Sequence, residues 1–312
     1  MSMQKTLKNT ISAQGLGLHT GRNISVTLRP APVDSGVTFR RVDLADAAAI
    51  RALPENVTST TLATTLGRGE NRVSTVEHLM AALSALGVDN LTVEADGPEL
   101  PVFDGSADEW VRLIGEAGLA DLSAPRRFLK VTRPYKITAG DKSIEVRPAR
   151  QFSVEAHIDF GGAIGRHCFF YTDSEAAFVC EISRSRTFCR LQDVEMMHSQ
   201  GLAKGGSLDN AVVVGDDGIL NPGGLRYDDE FVRHKILDFI GDMAMAGNRI
   251  MGHFIIHKPG HELNRRFLAS ALAQPGLLEE TGAEKHRPRE AARRLISRLP
   301  LSLDDALAPV GL

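Results

Sequence analysis

Apolar residues at 231, 232, 236, 237, 239 and 240 recur near helical spacing through F-V-R-H-K-I-L-D-F-I-G-D, so residues 231–242 predict a helix. A second apolar run over 75–86, closed by Gly87 in a C-cap position, predicts another. Shorter helices are expected near 107–115 with Ser106 as cap, at 192–199 and at 261–273, and 174–182 reads as helical or mixed. Alternating or β-branched stretches predict strands at 6–11, 23–28, 37–42, 58–66 and 91–95. Further strands are expected at 128–131, 135–138, 143–146, 153–159, 211–214 and 252–257. Residues 15–21, G-L-G-L-H-T-G, read as a glycine-turned loop, and 123–127, with Pro125, as a linker.

The two halves of the chain end alike: helix, glycine, strand, Pro/Gly turn, helix. His78 precedes Gly87 and Asp238 precedes the helix-ending Gly247 by the same nine residues. Such a duplication predicts an α+β protein of two related lobes, taken as 1–124 and 125–280, followed by a tail at 281–312. Lobes packed with their helices facing would collect side chains from both in the cleft between them.

Composition narrows the class without naming it. A chain of 312 residues, 43% hydrophobic and 24% charged, has the make-up of a globular protein with room for two domains of roughly 120 to 180 residues. A net charge of −3 and a pI near 6.4 give no basic field for a nucleic-acid partner. The start lacks an apolar signal core, and no uninterrupted apolar run reaches the ~18 residues a membrane span needs, so no stable membrane insertion and a cytoplasmic location are expected. Cys168, Cys180 and Cys189 are odd in number, lack C-x-x-C spacing and fit a reducing compartment.

Candidate chemistry begins on the 231–242 helix. His234 and Asp238, four residues apart, share one face and can share a ligand, or can equally be a surface contact or a capping pair. A catalytic zinc takes three protein ligands and keeps an open position, so a second histidine from elsewhere is needed. Val76-Glu77-His78 offers it, with a carboxylate alongside as base. Glu77 has a structural alternative too, since Ser74-Thr75-Val76-Glu77 fits a capping box. His253 and His257, with His261 four further on, form a rival cluster on one face of a strand.

Six motifs in order carry a resemblance: G-L-G-L-H-T-G at 15–21, V-E-H at 76–78, S-R-T-F at 185–188, G-G-S at 205–207, H-K-I-L-D-F-I-G-D at 234–242 and G-H-E-L-N at 260–264. Over about residues 5–272 the chain resembles the UDP-3-O-acyl-N-acetylglucosamine deacetylases, zinc amidases of lipid A synthesis. The resemblance implies two β-α-α-β lobes with helices packed between two sheets, each lobe carrying an insert. It implies Zn2+ held by His78, His234 and Asp238, one ion per chain, with iron able to compete for such N/O ligands. It implies Glu77 as general base, His261 as general acid, Asp242 as the group that orients His261, and Thr187 as a hydroxyl supporting the oxyanion.

For the substrate, the resemblance implies that Lys235 meets the anionic part and Phe160 stacks on the uracil, with Phe188 and His19 also among the substrate-binding residues. The second insert, about 192–214, would shape an apolar passage for the acyl chain, lined by Leu191, Met196, Met197, Leu202, Ala203 and Val214. Arg190 stands where the family commonly has an aromatic residue, and Ala63 and Ala203 replace positions that can carry Cys. The implied reaction removes the 2-acetyl group of a UDP-3-O-(3-hydroxyacyl)-N-acetylglucosamine. Two competing expectations are a zinc amidase for another N-acetylated sugar and a non-catalytic binding protein of the same fold. The tail past 281 is expected to be peripheral, with recognition by a protease as its suggested role.

Overall fold

The computed structural model describes residues 2–281; an amphipathic helix that the sequence pattern suggests at 290–298 and the suggested protease-recognition tail lie outside the described residues. The first half runs β1 (Met3–Leu7), β2 (Ile11–Leu16), β3 (Asn23–Pro30), β4 (Val37–Arg41), β5 (Ile50–Arg51), β6 (Val57–Ser59), β7 (Thr65–Arg68) and β8 (Asn71–Val73). It closes with α1 (Glu77–Leu86), β9 (Leu91–Ala95), α2 (Asp108–Ala117) and β10 (Leu119–Pro125). The second half runs β11 (Phe128–Val131), β12 (Tyr135–Ala139), β13 (Lys142–Pro148), β14 (Ser153–Gly161) and β15 (Gly165–Thr172). There follow α3 (Glu175–Ala177), a π-helical turn (Phe178–Ile182), β16 (Phe188–Arg190), α4 (Leu191–Ser199), β17 (Val212–Gly215) and β18 (Gly218–Ile219). It closes with α5 (Glu230–Ala244), β19 (Arg249–His257), α6 (His261–Ala273) and β20 (Leu278–Thr281).

Strand order makes the duplication explicit. In the first lobe β9 lies between β3, antiparallel, and β4, parallel, with β2 and β5 outside them. In the second, β19 lies between β13, antiparallel, and β14, parallel, with β12 and β15 outside. The antiparallel pair β1–β10 of the first lobe has its counterpart in β11–β20. Each lobe also carries a small three-stranded sheet of its own, β6-β7-β8 in one and β16-β17-β18 in the other. In the second, β16 and β17 pair in parallel across α4, which together with β17 answers to the helix expected at 192–199 and the strand expected at 211–214.

The helices pack between the sheets, α1 chiefly on α5, and the buried apolar residues of both lobes form one contiguous core. Nearly every residue of α1 is buried, as is most of α5, because each faces a helix on one side and strands on another. Burying each large apolar side chain here contributes roughly 1.5–3 kcal/mol, so the lobes stabilise one another through this layer. Along β19 buried Ile250, Gly252, Phe254 and Ile256 alternate with half-buried Met251, His253, Ile255 and His257. The pleat therefore turns both histidines away from the helix layer.

Several local expectations give way to tertiary contacts. The strand expected at 6–11 is two strands, because Lys8 and Asn9 donate backbone N–H bonds to Gly118 and Ala117 and turn the chain there. Residues 15 and 16 belong to β2 rather than to a loop, and 58–66 is interrupted between β6 and β7. Thr75 cannot start α1: its φ of 57° is left-handed, and its hydroxyl donates to Glu99 instead. The capping box does not form, since Val76 is the N-cap and Ser74 accepts from the Thr65 hydroxyl. Gly87 does end α1 in the left-handed region, whereas α5 ends at Ala244 with Met245 as cap and Gly247 two residues beyond. Ala107, not Ser106, is the cap position of α2, although the Ser106 hydroxyl accepts from Asp108 N–H. Residues 123–125 are the end of β10, held to β1, and not a linker.

Candidate active site

Three buried side chains meet where α1 crosses α5. His234 Nε2 stands 3.3 Å and His78 Nε2 3.6 Å from the same oxygen, Asp238 Oδ1. One donor atom from each residue falls within 4.8 Å of the others, the single such group among the described residues. Four-coordinate ligands at about 2.1 Å from a zinc-like ion stand roughly 3.4 Å apart, so the spacing suits a shared cation. Asp238 Oδ1 is buried with no hydrogen-bond partner, an arrangement that costs free energy unless a cation completes it.

Their surroundings prepare each donor. His234 Nδ1–H donates to the Ser185 carbonyl at 3.1 Å, which fixes the tautomer and leaves the Nε2 lone pair free for a metal. Burial pushes the His234 imidazole down to about 4, so it is neutral at pH 7. Burial would raise the Asp238 carboxyl, yet the neighbouring His234, Lys235 and His78 hold it well below its ordinary value. Two imidazoles and one carboxylate fit a divalent transition metal and leave it a net positive charge.

Beside these three residues stands a second buried group. Glu77 Oε2 accepts from the Thr64 backbone N–H at 3.0 Å, while its Oε1 faces His261 Nε2 at 3.9 Å. His261 Nδ1–H donates to Asp242 Oδ2 at 2.9 Å. Asp242 also accepts from Asn264 Nδ2 at 2.8 Å and from the Thr64 hydroxyl at 2.7 Å. Burial raises the Glu77 carboxyl above its usual value against the pull of His261 and His78. Burial alone would lower His261, but the Asp242 charge and hydrogen bond, with Glu77 and Asp238, carry it up to about 10. A proton acceptor and a proton donor thus face each other next to the ligand set.

The expected substrate residues form a flank. Lys235 Nζ lies 3.2 Å from Asp238 Oδ2 and 5.2 Å from the centre of the Phe188 ring. Phe188 packs edge-on against His234 at 6.1 Å and Phe160 at 5.7 Å. Thr187 is half-buried one residue away, its N–H donating to Gly105 and its carbonyl accepting from Val212. His19 is not a solvated loop residue: it is buried, its Nδ1 accepts from Ala203 N–H, and its Nε2 has no partner. The His261 charge is among the influences lowering its pKa, after burial itself.

Of the expected passage residues, Leu191 and Met196 are half exposed and Met197 and Val214 are buried. The rival histidines stand apart, with His253 bonded to the Ser153 hydroxyl and His257 stacked on His157. Sequence reasoning missed Thr64, Ser185, Asn264 and the buried Arg186–Glu230 pair. Asn264 lay within the G-H-E-L-N motif, but nothing local marks Thr64, whose partner Asp242 is 178 residues away.

Chemically, a polarising cation site with a base and an acid side by side suits metal-assisted hydrolysis of an acyl bond, and on this scaffold it defines a metal-dependent hydrolase. The sequence model of the UDP-3-O-acyl N-acetylglycosamine deacetylases matches residues 4–273, and the chain belongs to that family. Relatives named UDP-3-O-acyl-N-acetylglucosamine deacetylase agree across nearly their whole lengths. One from Thioalkalivibrio sulfidiphilus is 49% identical, covering 88% of this chain and 91% of its own. Others from Myxococcus xanthus and Geobacter sp. (strain M21) are 47% and 46% identical, covering 90% and 88% of this chain and 90% of each relative. Among the described residues no helix is long and apolar enough to cross a membrane.

Proposed function

We propose that the protein hydrolyses the 2-acetamido group of a UDP-3-O-acyl-N-acetylglucosamine in the cytoplasm, releasing acetate and a free amine for lipid A synthesis, with zinc as its metal. His78, His234 and Asp238 would hold the ion, which supplies a Lewis acid that polarises the acetyl carbonyl and acidifies a water molecule. Glu77 takes the water's proton at Oε1, since Oε2 is occupied by the Thr64 N–H. The raised affinity of Glu77 for a proton suits it to that transfer.

His261, protonated at neutral pH and fixed through Nδ1 on Asp242, delivers a proton from Nε2 to the departing nitrogen. The Thr187 hydroxyl steadies the oxyanion that develops on the carbonyl. Lys235 meets the diphosphate and Phe160 the uracil, Phe188 and His19 frame the sugar, and Leu191 and Met196 offer exposed apolar surface to the acyl chain. The three cysteines are free, in keeping with a reducing compartment.

The observation that carries this reading is the 3.9 Å approach of Glu77 Oε1 to His261 Nε2 beside a buried three-ligand set. The test is metal content measured together with acetate release from the UDP-linked substrate in one preparation. About one metal per chain, loss of acetate release on chelation and its return with zinc are expected. Activity untouched by chelation would overturn the reading, and full activity on a sugar lacking the UDP or the acyl chain would move it to another N-acetyl sugar.

A further inference from the structure

Thr64 makes one hydrogen bond to each side of the proposed acid–base pair. Its N–H holds Glu77 Oε2, and its hydroxyl donates to Asp242 Oδ1 at 2.7 Å while standing 3.3 Å from His261 Nδ1. At 2% exposure it has no water to fall back on. Oδ2 of Asp242 is taken by His261 and Asn264, so the Thr64 hydroxyl is the one hydrogen-bond donor to Oδ1 among the described residues. Without it a buried carboxylate oxygen goes unpartnered, and the carboxylate gains a reason to rotate. Any rotation is passed to His261 through the 2.9 Å bond to Nδ1.

The loop bearing Thr64 belongs to the first lobe, as does Glu77, whereas Asp242 and His261 belong to the second. Base and acid therefore ride on different lobes, and Thr64 is hydrogen-bonded to both. We infer that Thr64 is a positioning residue for the deacetylation, holding Glu77 through its amide and His261 through Asp242 so that acid and base keep their separation across the lobe boundary. The inference rests on the roles proposed above for Glu77 and His261. The same loop has a second tie to α6, Thr60 Oγ1 donating to Glu262 at 3.0 Å, but that bond is exposed and leads to neither catalytic group.

The test compares Thr64→Val, which keeps the shape and removes the hydroxyl, with Thr64→Ser, which keeps the hydroxyl. In metal-loaded enzyme Thr64→Val should lower kcat by about tenfold to a hundredfold, with KM within about twofold and metal content unchanged, the size of loss expected from a misplaced catalytic group. Thr64→Ser should stay within about threefold of the parent, and the control Thr60→Val should be unchanged, because neither disturbs the Asp242 contact. Adding Thr64→Val to Asp242→Ala should cost nothing further, since the acceptor is already gone. Thr64→Ala takes the place of the valine variant if that one does not fold.

A Thr64→Val enzyme within about twofold of parental kcat, equal losses in the valine and serine variants, or additive losses in the double variant would overturn the inference. Glu77→Gln and His261→Ala are assayed alongside. If both are inactive while Thr64→Val is unimpaired, the Thr64 inference alone fails; if both remain active, the functional reading beneath it fails.

Discussion

Gly241 of α5 lies against the backbone of Glu77 so closely that a Cβ on it would stand 2.1 Å from the Glu77 carbonyl oxygen. Backbone cannot yield as a flexible side chain can, so Gly241→Ala must push α1 and α5 apart. An overpacked helix crossing costs about 1–3 kcal/mol, and here the displacement also separates His78 from Asp238. Urea unfolding and metal titration of this variant should show both lower stability and weaker metal binding. A parental midpoint with parental affinity would mean the crossing is less tight than its geometry indicates.

Glu77→Gln keeps an oxygen for the Thr64 N–H but removes the proton acceptor. Turnover should fall by about 10²-fold or more, the usual contribution of a general base. Metal content should stay at the parental level, because the proposed ligands are His78, His234 and Asp238. Turnover within about twofold of parental would rule Glu77 out as the base.

Glu230, fully buried at the start of α5, accepts from the Arg186 backbone and guanidinium and from Arg226 N–H. Burial would raise its carboxyl, but the Arg186 and Arg226 bonds hold it below its ordinary value. This pair clamps the segment whose Ser185 carbonyl orients His234. Removing one partner leaves the other buried and charged, so Glu230→Ala should cost about 3–5 kcal/mol. Loss of the Ser185 support should also weaken metal binding by about 10- to 100-fold, read by competition with a chelating dye.

Metal-free protein should show a stability maximum near pH 6.5, the unperturbed histidine value, as far as His234 and His261 govern it. His261 has a folded value raised to about 10, so its contribution is complete below the unfolded histidine value and is lost as pH climbs through about 10. His234 has a folded value lowered to about 4, so the unfolded chain takes up its proton first and stability falls as pH drops from the unfolded value towards about 4. Thermal melts across this range check both signs. Asp242→Asn should flatten the alkaline side, because Asp242 is the principal raiser of His261, and should leave the acid side in place.

The chain by itself determined the elements that carry strong periodicity and the local pairings they imply. Helix spacing puts His234 and Asp238 on one face, and α6 and β9 match their expected bounds, because those patterns are set by neighbours a few residues away. Ordered motifs brought in the rest of the site's residues through family resemblance rather than local physics. Only the tertiary structure decided that His78 crosses to the Asp238 oxygen, that Glu77 bonds Thr64 instead of capping its own helix, and that His19 is buried. It also turned residues 123–125 from linker to strand and set Thr75 in a left-handed conformation. Each of these is settled by a partner far along the chain, and a buried donor or carboxylate takes whichever partner packing brings to it, which no local pattern encodes.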